Sequence, residues 1–426
     1  MGTCKSALSL GLVMNIILYA IPFFFALIGL ELLLDKIRNT GYYRLNDAIN
    51  SLSAGVLSRM SEIAKGILPF TVYVLIYQHF ALFSLPDTLW MWLLAFVVYD
   101  LCYYWNHRLG HEMSLLWAAH VVHHSSEEYN LTTALRQTSS SFLSYVFYLP
   151  MALLGVDPLL LLEVASLNLV YQFWVHTRHV PELGWLEYLL VTPSNHRVHH
   201  AQNRVYIDRN YGGVFIIWDR LFGTYQRELS SDPVIFGIRS ALKSWNPLYA
   251  NIQVYAQLWQ DSWHTARWRD KLRVWFGRTG WRPADVAERF PLVKTDLQHF
   301  SKFDVALSGL SKGYCLLQHV LVTLIAVLLM LNVSALTLPY QLALVVWVAY
   351  ASYSVGAMLE NRPIALKLEG AKHLSIAVAM WWWPLPLWLN TVLSVASLLS
   401  TVMLVLIYRQ QATESELNTP GQSHLT

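Results

Sequence analysis

The chain has 426 residues, 55% of them hydrophobic and only 13% charged, with a net charge of +3 at neutral pH. Soluble globular proteins carry about 25% charged residues, so this composition indicates an all-α polytopic membrane protein. It excludes disordered, collagen-like and disulfide-scaffold classes, and the small net charge argues against a nucleic-acid partner. Cys4, Cys102 and Cys315 form no CxxC pair and read as buried free thiols.

A spanning helix needs about 20 mostly apolar residues. The first such run, 8–34, is read as an uncleaved anchor, with residues 1–35 as its unit. Runs 67–84 and 88–105 follow, then 140–156 and 158–175, as two helical hairpins inside a catalytic region spanning 36–230. A basic and aromatic segment occupies 231–312. Runs 314–333, 338–358, 374–389 and 390–408 make C-terminal transmembrane hairpins within 313–410, with Pro339 and Asn390 near their tips. A polar, disordered tail is expected over 411–426. Nine spans result. Their pairing places segments 36–65, 106–139, 176–312 and 359–373 on one side, and their excess of Lys and Arg makes that side cytoplasmic. The sequon at Asn130 would then escape glycosylation. Within 231–312, the stretch from His264 to Arg282 interleaves Arg and Lys with Trp268, Trp275 and Trp281, as an interfacial helix does.

Ten of the 16 histidines fall between His107 and His200. His107 and His111 are four apart, and His120, His123 and His124 repeat the i, i+3, i+4 pattern, as do His196, His199 and His200. Such spacings share one helix face. Of His176 and His179, the former is read as a ligand because it follows directly on an apolar helix, and the latter is left open. His79, His264, His299, His319, His373 and His424 are isolated and read as core or interface residues. One tetrahedral zinc takes four ligands. Nine convergent imidazoles suggest two ions, forming a histidine-rich di-metal site at the cytoplasmic face. Imidazole alone does not name the metal. A site at the face of a lipid-embedded bundle, suited to unactivated C–H bonds, favours iron. The zinc-protease HExxH spacing is missing, as are a phosphate loop and a GxSxG elbow.

These clusters resemble the fatty-acid hydroxylase / sterol desaturase superfamily of membrane di-iron oxygenases. The strings Tyr104-Trp-Asn-His-Arg-Leu-Gly-His-Glu112, Tyr171-Gln-Phe-Trp-Val-His-Thr177, Thr192-Pro-Ser-Asn-His-Arg-Val-His-His200 and Ile217-Trp-Asp-Arg-Leu-Phe-Gly-Thr224 narrow the resemblance to the alkylglycerol monooxygenase family, over most of the chain. The resemblance implies cleavage of the O-alkyl bond of ether lipids with O2 and tetrahydrobiopterin or a related reduced pterin, two non-haem iron ions, and a pterin-recycling reductase as partner. It carries eight required histidines onto His107, His111, His120, His123, His124, His196, His199 and His200, and a required glutamate onto Glu112. Asn195 and His179 depart from the family pattern.

Glu112 is read as orienting a ligand ring, with Glu127, Glu128, Asp208 and Asp219 as weaker candidates for that role. Asn130, Arg136 and Gln137 are candidates for contact with pterin or lipid head group. The implied location is an integral, multi-pass membrane protein, of the endoplasmic reticulum in a eukaryote or the inner membrane in a bacterium. Two other functions fit less well: a fatty-acid, sterol or lipid-head-group hydroxylase or desaturase fed by a separate electron carrier, and a histidine-rich metal transporter. The latter predicts ionisable groups inside the spans, where the sequence has few.

Overall fold

The computed structural model describes the backbone of residues 2–65, 68–382 and 386–418, and side chains over 20–65, 70–380 and 386–411. Among the described residues the chain is all helical, with three isolated bridges and no strand. The helices are α1 (Gly2–Arg38), α2 (Leu45–Lys65), α3 (Leu68–Phe80), α4 (Leu89–Glu112), α5 (Ser114–His124), α6 (Leu131–Ala134), α7 (Leu149–Leu153), α8 (Pro158–Trp174) and α9 (Pro193–His199). They continue with α10 (Ile217–Leu221), α11 (Pro247–His264), α12 (Trp268–Phe276), α13 (Ala284–Arg289), α14 (Gly309–Leu331), α15 (Leu338–Leu359), α16 (Ala365–Trp382) and α17 (Leu387–Asn418).

Two compact units form. The first comprises residues 1–243 and 249–302, the second 244–248 and 303–426. Within the first, α3, α4, α7 and α8 share a core of Tyr73, Ala95, Met151, Ala152 and Val164. Local sequence sets the helix starts. Thr88 caps α4 by accepting from Met91 N, and Asp157 caps α8 with Pro158 in its first turn. A side-chain hydroxyl or carboxylate there satisfies an N–H that the helix leaves open. Within the second unit, Glu369 and Lys372 pair at 2.6 Å, both fully buried, and Ser354 and Tyr314 also donate to Glu369.

The expected count of nine spans is not reproduced. Among the described residues, Gly309–Leu331, Leu338–Leu359 and Leu387–Gln411 are long and apolar enough to cross a membrane. A fourth exists only if α2 and α3, bent by 52°, form one span. Run 67–84 holds a helix of only 13 residues, and 158–175 one of 17. Run 140–156 breaks into a 3-10 helix, Ser141–Tyr148, and the five-residue α7. Of run 374–389, residues 374–382 end α16, which also carries Lys367, Glu369 and Lys372, residues 383–385 lie outside the described residues, and 387–389 open α17. Asn390 falls in the first turn of α17, and α17 continues to Asn418, so helix replaces the first part of the expected disordered tail. Residues 419–426, with His424, lie outside the described residues, as does the side chain of Cys4. Cys102 is half-buried and Cys315 buried, both free.

Candidate metal centre

Four segments bring the clustered histidines together. The rings of His107 and His111 leave the last turns of α4, and His120, His123 and His124 lie along α5. His176 follows the C-terminus of α8 by two residues. The helix carrying His196 and His199 starts because Thr192 and Asn195 form a capping box ahead of Pro193. Buried Glu187 accepts from Thr192 Oγ1 at 2.6 Å and holds that turn in place.

The nine rings sort into two groups: His107, His111, His120, His124 and His199, and then His123, His176, His196 and His200. In the first, Nε2 atoms approach at 3.0 Å (His107 and His120), 3.1 Å (His120 and His124), 3.1 Å (His124 and His199) and 3.2 Å (His111 and His124). In the second the approaches are 3.2 Å (His123 and His176), 3.1 Å (His176 and His196) and 3.2 Å (His196 and His200).

The opposite edges of the rings explain what these approaches mean. The Nδ1–H of His107 donates to Tyr211 O, that of His123 to Arg136 O, that of His176 to Gln172 O and that of His199 to Arg209 O. A ring donating from Nδ1 has a bare lone pair on Nε2. His123 and His176 therefore point two lone pairs at each other, which is repulsive unless a cation lies between them. A proton is a poor candidate, because burial depresses these rings: His107 to about 3, His123 to about 4, and the other seven well below the usual imidazole value. Two nitrogens each about 2.1 Å from one ion lie about 3.0 Å apart at a right angle and about 3.4 Å apart in a tetrahedron. The observed spacings, 3.0–3.2 Å, lie between the right angle and the midpoint of these two values, so each group of rings could hold one ion.

The outer shell is built largely of backbone carbonyls, fixed in turn by buried side chains. Asp100, fully buried on α4, accepts from Val214 N (2.8 Å), Phe215 N (3.0 Å), Trp218 Nε1 (3.0 Å) and Asn168 Nδ2 (2.7 Å). Asp219 accepts from Tyr211 N (2.7 Å), Gly212 N (2.8 Å) and Thr224 Oγ1 (2.7 Å), and burial lifts its carboxyl to about 6. These two acids shape the 209–218 segment whose carbonyls orient His107 and His199. The segment leaves little room for a side chain: a Cβ on Gly213 would lie 2.8 Å from Asp100 Oδ1. Arg136 donates to Val122 O and Ser125 Oγ while its own carbonyl receives His123. Glu31 on α1 accepts from Leu131 N and Thr177 Oγ1, beside His176. Sequence reading missed Asp100, Glu31 and Glu187. It also missed Tyr211, whose hydroxyl is buried without a partner and whose ring lies 5.4 Å from that of His111.

The other expected residues are placed as follows. Glu112 does not meet an imidazole. Its Oε1 accepts from Arg108 Nε at 3.0 Å, one turn back on α4, and the pair is partly exposed. Arg108 continues to Tyr104 Oη at 3.2 Å, and Tyr104 Oη meets Thr224 Oγ1 at 2.9 Å. Glu128 is buried between Arg44 and Lys302. Asp208 pairs with exposed Arg278. Asn130, Arg136 and Gln137 all have structural partners: Asn130 caps α6 and donates to Tyr42 O, and Gln137 donates to Ala134 O. Asn130 is buried, so as a sequon it is shielded. Glu127 is buried near Gly237. His179 stands apart from both groups, its ring 5.1 Å from that of Tyr42.

Residues 92–224, which contain all nine rings, match the family model described as fatty acid hydroxylase. Alkylglycerol monooxygenase of Danio rerio is 39% identical over 358 residues, covering 82% of this chain and 79% of that protein. Alkylglycerol monooxygenase of Homo sapiens is 38% identical over 362 residues, 83% of this chain and 80% of that protein. Ornithine lipid hydroxylase OlsE of Rhizobium tropici is 30% identical over 149 residues, 34% of this chain and 45% of that protein. No solved structure matches the chain.

Proposed function

This chain belongs to the alkylglycerol monooxygenase family, and from that premise we propose that it cleaves the O-alkyl bond of glyceryl ethers with two iron ions and a reduced pterin. The observation that carries the reading is the pair of all-histidine groups whose Nε2 lone pairs converge at 3.0–3.2 Å. The chemistry suits the substrate class. An ether oxygen weakens the C–H bond on the adjacent carbon by stabilising the radical formed there. Insertion of one oxygen atom from O2 gives a hemiacetal, which collapses to a fatty aldehyde and the glycerol. The second oxygen atom leaves as water, with two electrons from the pterin and two protons. Iron held by the nine rings would supply the oxygen activation.

The chain's own residues hold, orient and seal. The Nδ1–H bonds to carbonyl oxygens fix ring direction, as outer partners of metal ligands do. Tyr129, Tyr211 and Trp117 pack on the rings and keep water away, with Tyr129 Oη tied to Val175 O at 2.9 Å. Glu112, Arg108, Tyr104, Thr224 and Asp219 form a continuous polar path from the surface to the loop behind His107. A guanidinium does not pass a proton on, so we assign Glu112 to its outer end as a positioning residue that holds Arg108 against Tyr104. Glu112→Gln should then keep the full metal complement, because the carboxylate touches no ligand ring, while turnover falls about 10–100-fold. Loss of metal from that variant would instead make Glu112 a ligand, and unchanged turnover would remove it from the reaction.

The protein is placed in a membrane by its apolar C-terminal helices and its family. Our reading adds several passes, a cytoplasmic active site, and a pterin-recycling reductase as partner. The endoplasmic reticulum or a bacterial inner membrane would be the location. On α12, Trp268, Leu272 and Phe276 are exposed at a spacing of four, among Arg267, Arg269, Lys271 and Arg273, which suits a helix lying in the head-group layer. Aldehyde release from 1-O-alkylglycerol by the purified protein tests the function. It should require tetrahydrobiopterin. Turnover driven only by a flavin- or cytochrome-type reductase would favour a hydroxylase of the wider superfamily.

A further inference from the structure

A cavity of about 570 Å³ lies apart from the two histidine groups, lined by Arg38, Tyr42, Arg178, His179, Arg197 and Glu228 among others. Its lining adjoins the centre along the chain: Arg178 is two residues beyond His176, and Arg197 follows His196. Arg197 also ties the two together, donating from Nη1 to Thr177 O (3.1 Å) and Val180 O (2.8 Å).

The charges in this lining do not cancel. Arg197 is spent on Glu228, to which it donates from Nε at 3.1 Å and from Nη2 at 2.7 Å. Asp35, the nearest acid on the helix carrying Arg38, is occupied by Thr40 Oγ1 and Tyr42 N. Arg38 makes only long contacts, 3.4 Å to His179 O and 3.5 Å to the His179 ring. Arg178 lies 3.9 Å over the Tyr42 ring. Neither guanidinium is within ion-pair distance of a carboxylate among the described residues. Two uncompensated guanidinium forks are the chemistry that binds phosphate oxygens. The volume falls in the range of about 300–1,000 Å³ that holds an organic ligand rather than a bare ion. A pterin fits poorly here, since its amino-pyrimidinone edge donates hydrogen bonds and the one carboxylate in the lining is already taken by Arg197.

We propose that this cavity is a head-group subsite, in which Arg38 and Arg178 take the phosphate of a phosphorylated glyceryl ether whose alkyl ether carbon reaches the metal centre. The inference rests on the glyceryl-ether reading above. The phosphate lies at one end of the glycerol and the ether at the other, so holding the first restricts where the second can lie. This gives the enzyme a preference within ether lipids that the histidine centre cannot supply.

Binding measured without O2 or pterin separates the two claims. Full-length protein in detergent is titrated with a short-chain 1-O-alkylglycerol 3-phosphate, with the neutral 1-O-alkylglycerol of the same chain, and with inorganic phosphate. The phosphorylated ether should bind at least tenfold more tightly than either of the others. Arg38→Gln should erase most of that difference, and Arg38→Gln with Arg178→Gln all of it, while affinity for the neutral ether and metal content stay unchanged. In turnover, the same variants should raise KM for the phosphorylated ether at least tenfold with little change in kcat. Equal affinity for the two ethers, inorganic phosphate binding as tightly as the phosphorylated ether, or an equal loss for both ethers in Arg38→Gln would each overturn the subsite. Phosphate-dependent binding that Arg38→Gln abolishes, without cleavage of either ether, would leave the subsite standing and remove the proposed function.

Discussion

His124→Ala should yield a protein that still inserts into the membrane but carries about one metal ion fewer per chain and no measurable turnover. His124 Nε2 is the hub of the five-histidine group, within 3.1–3.2 Å of the Nε2 atoms of His111, His120 and His199. Removing an outer partner of a ligand costs about 10–100-fold, and a ligand shared by that many neighbours should cost more. Insertion depends on the apolar helices α14, α15 and α17, which the substitution does not touch. Metal analysis of the membrane-extracted variant, beside an aldehyde assay, checks both parts. Full metal content with normal turnover would mean that this group is packing rather than coordination.

Asp100→Ala should be nearly as damaging, by a different route. The substitution strands four donors that now converge on one fully buried carboxylate: two backbone N–H groups, the Trp218 indole and the Asn168 amide. Leaving a buried donor unsatisfied costs about 1–3 kcal/mol, and here four lose their acceptor together. The loss falls on the segment whose Tyr211 and Arg209 carbonyls orient His107 and His199. A melting temperature lowered by several degrees, with metal lost in parallel, is the expected result in a thermal-shift measurement. Asp100→Asn, which keeps two of the acceptor contacts, should lie between wild type and Asp100→Ala. An Asp100→Ala protein as stable and as metal-rich as wild type would show that the loop holds itself.

The histidine clusters were legible because helical spacing is a local property. An i, i+3, i+4 set must share a face, and His176 was readable from its place after an apolar helix. What the sequence hid depends on distance. Asp100 is one acid in an apolar run, and its partners lie 68 to 118 residues away. Glu31 likewise looks like an isolated charge in an anchor, yet it serves Leu131 and Thr177. Glu112 was expected to turn toward an imidazole. Its nearest cation is Arg108, one turn earlier, where the i, i+4 geometry of a helix brings opposite charges together. The span count rested on hydropathy alone: residues of the runs near 73, 95, 151 and 164 pack on one another, and hydropathy does not distinguish a residue facing protein from one facing lipid.

The most direct test is the metal content of anaerobically prepared protein, measured on the same sample that releases aldehyde from alkylglycerol with a reduced pterin. Two groups of converging imidazoles predict close to two iron ions per chain, with aldehyde release that rises and falls with that iron. A single tightly held zinc, with ether cleavage intact, would contradict the account.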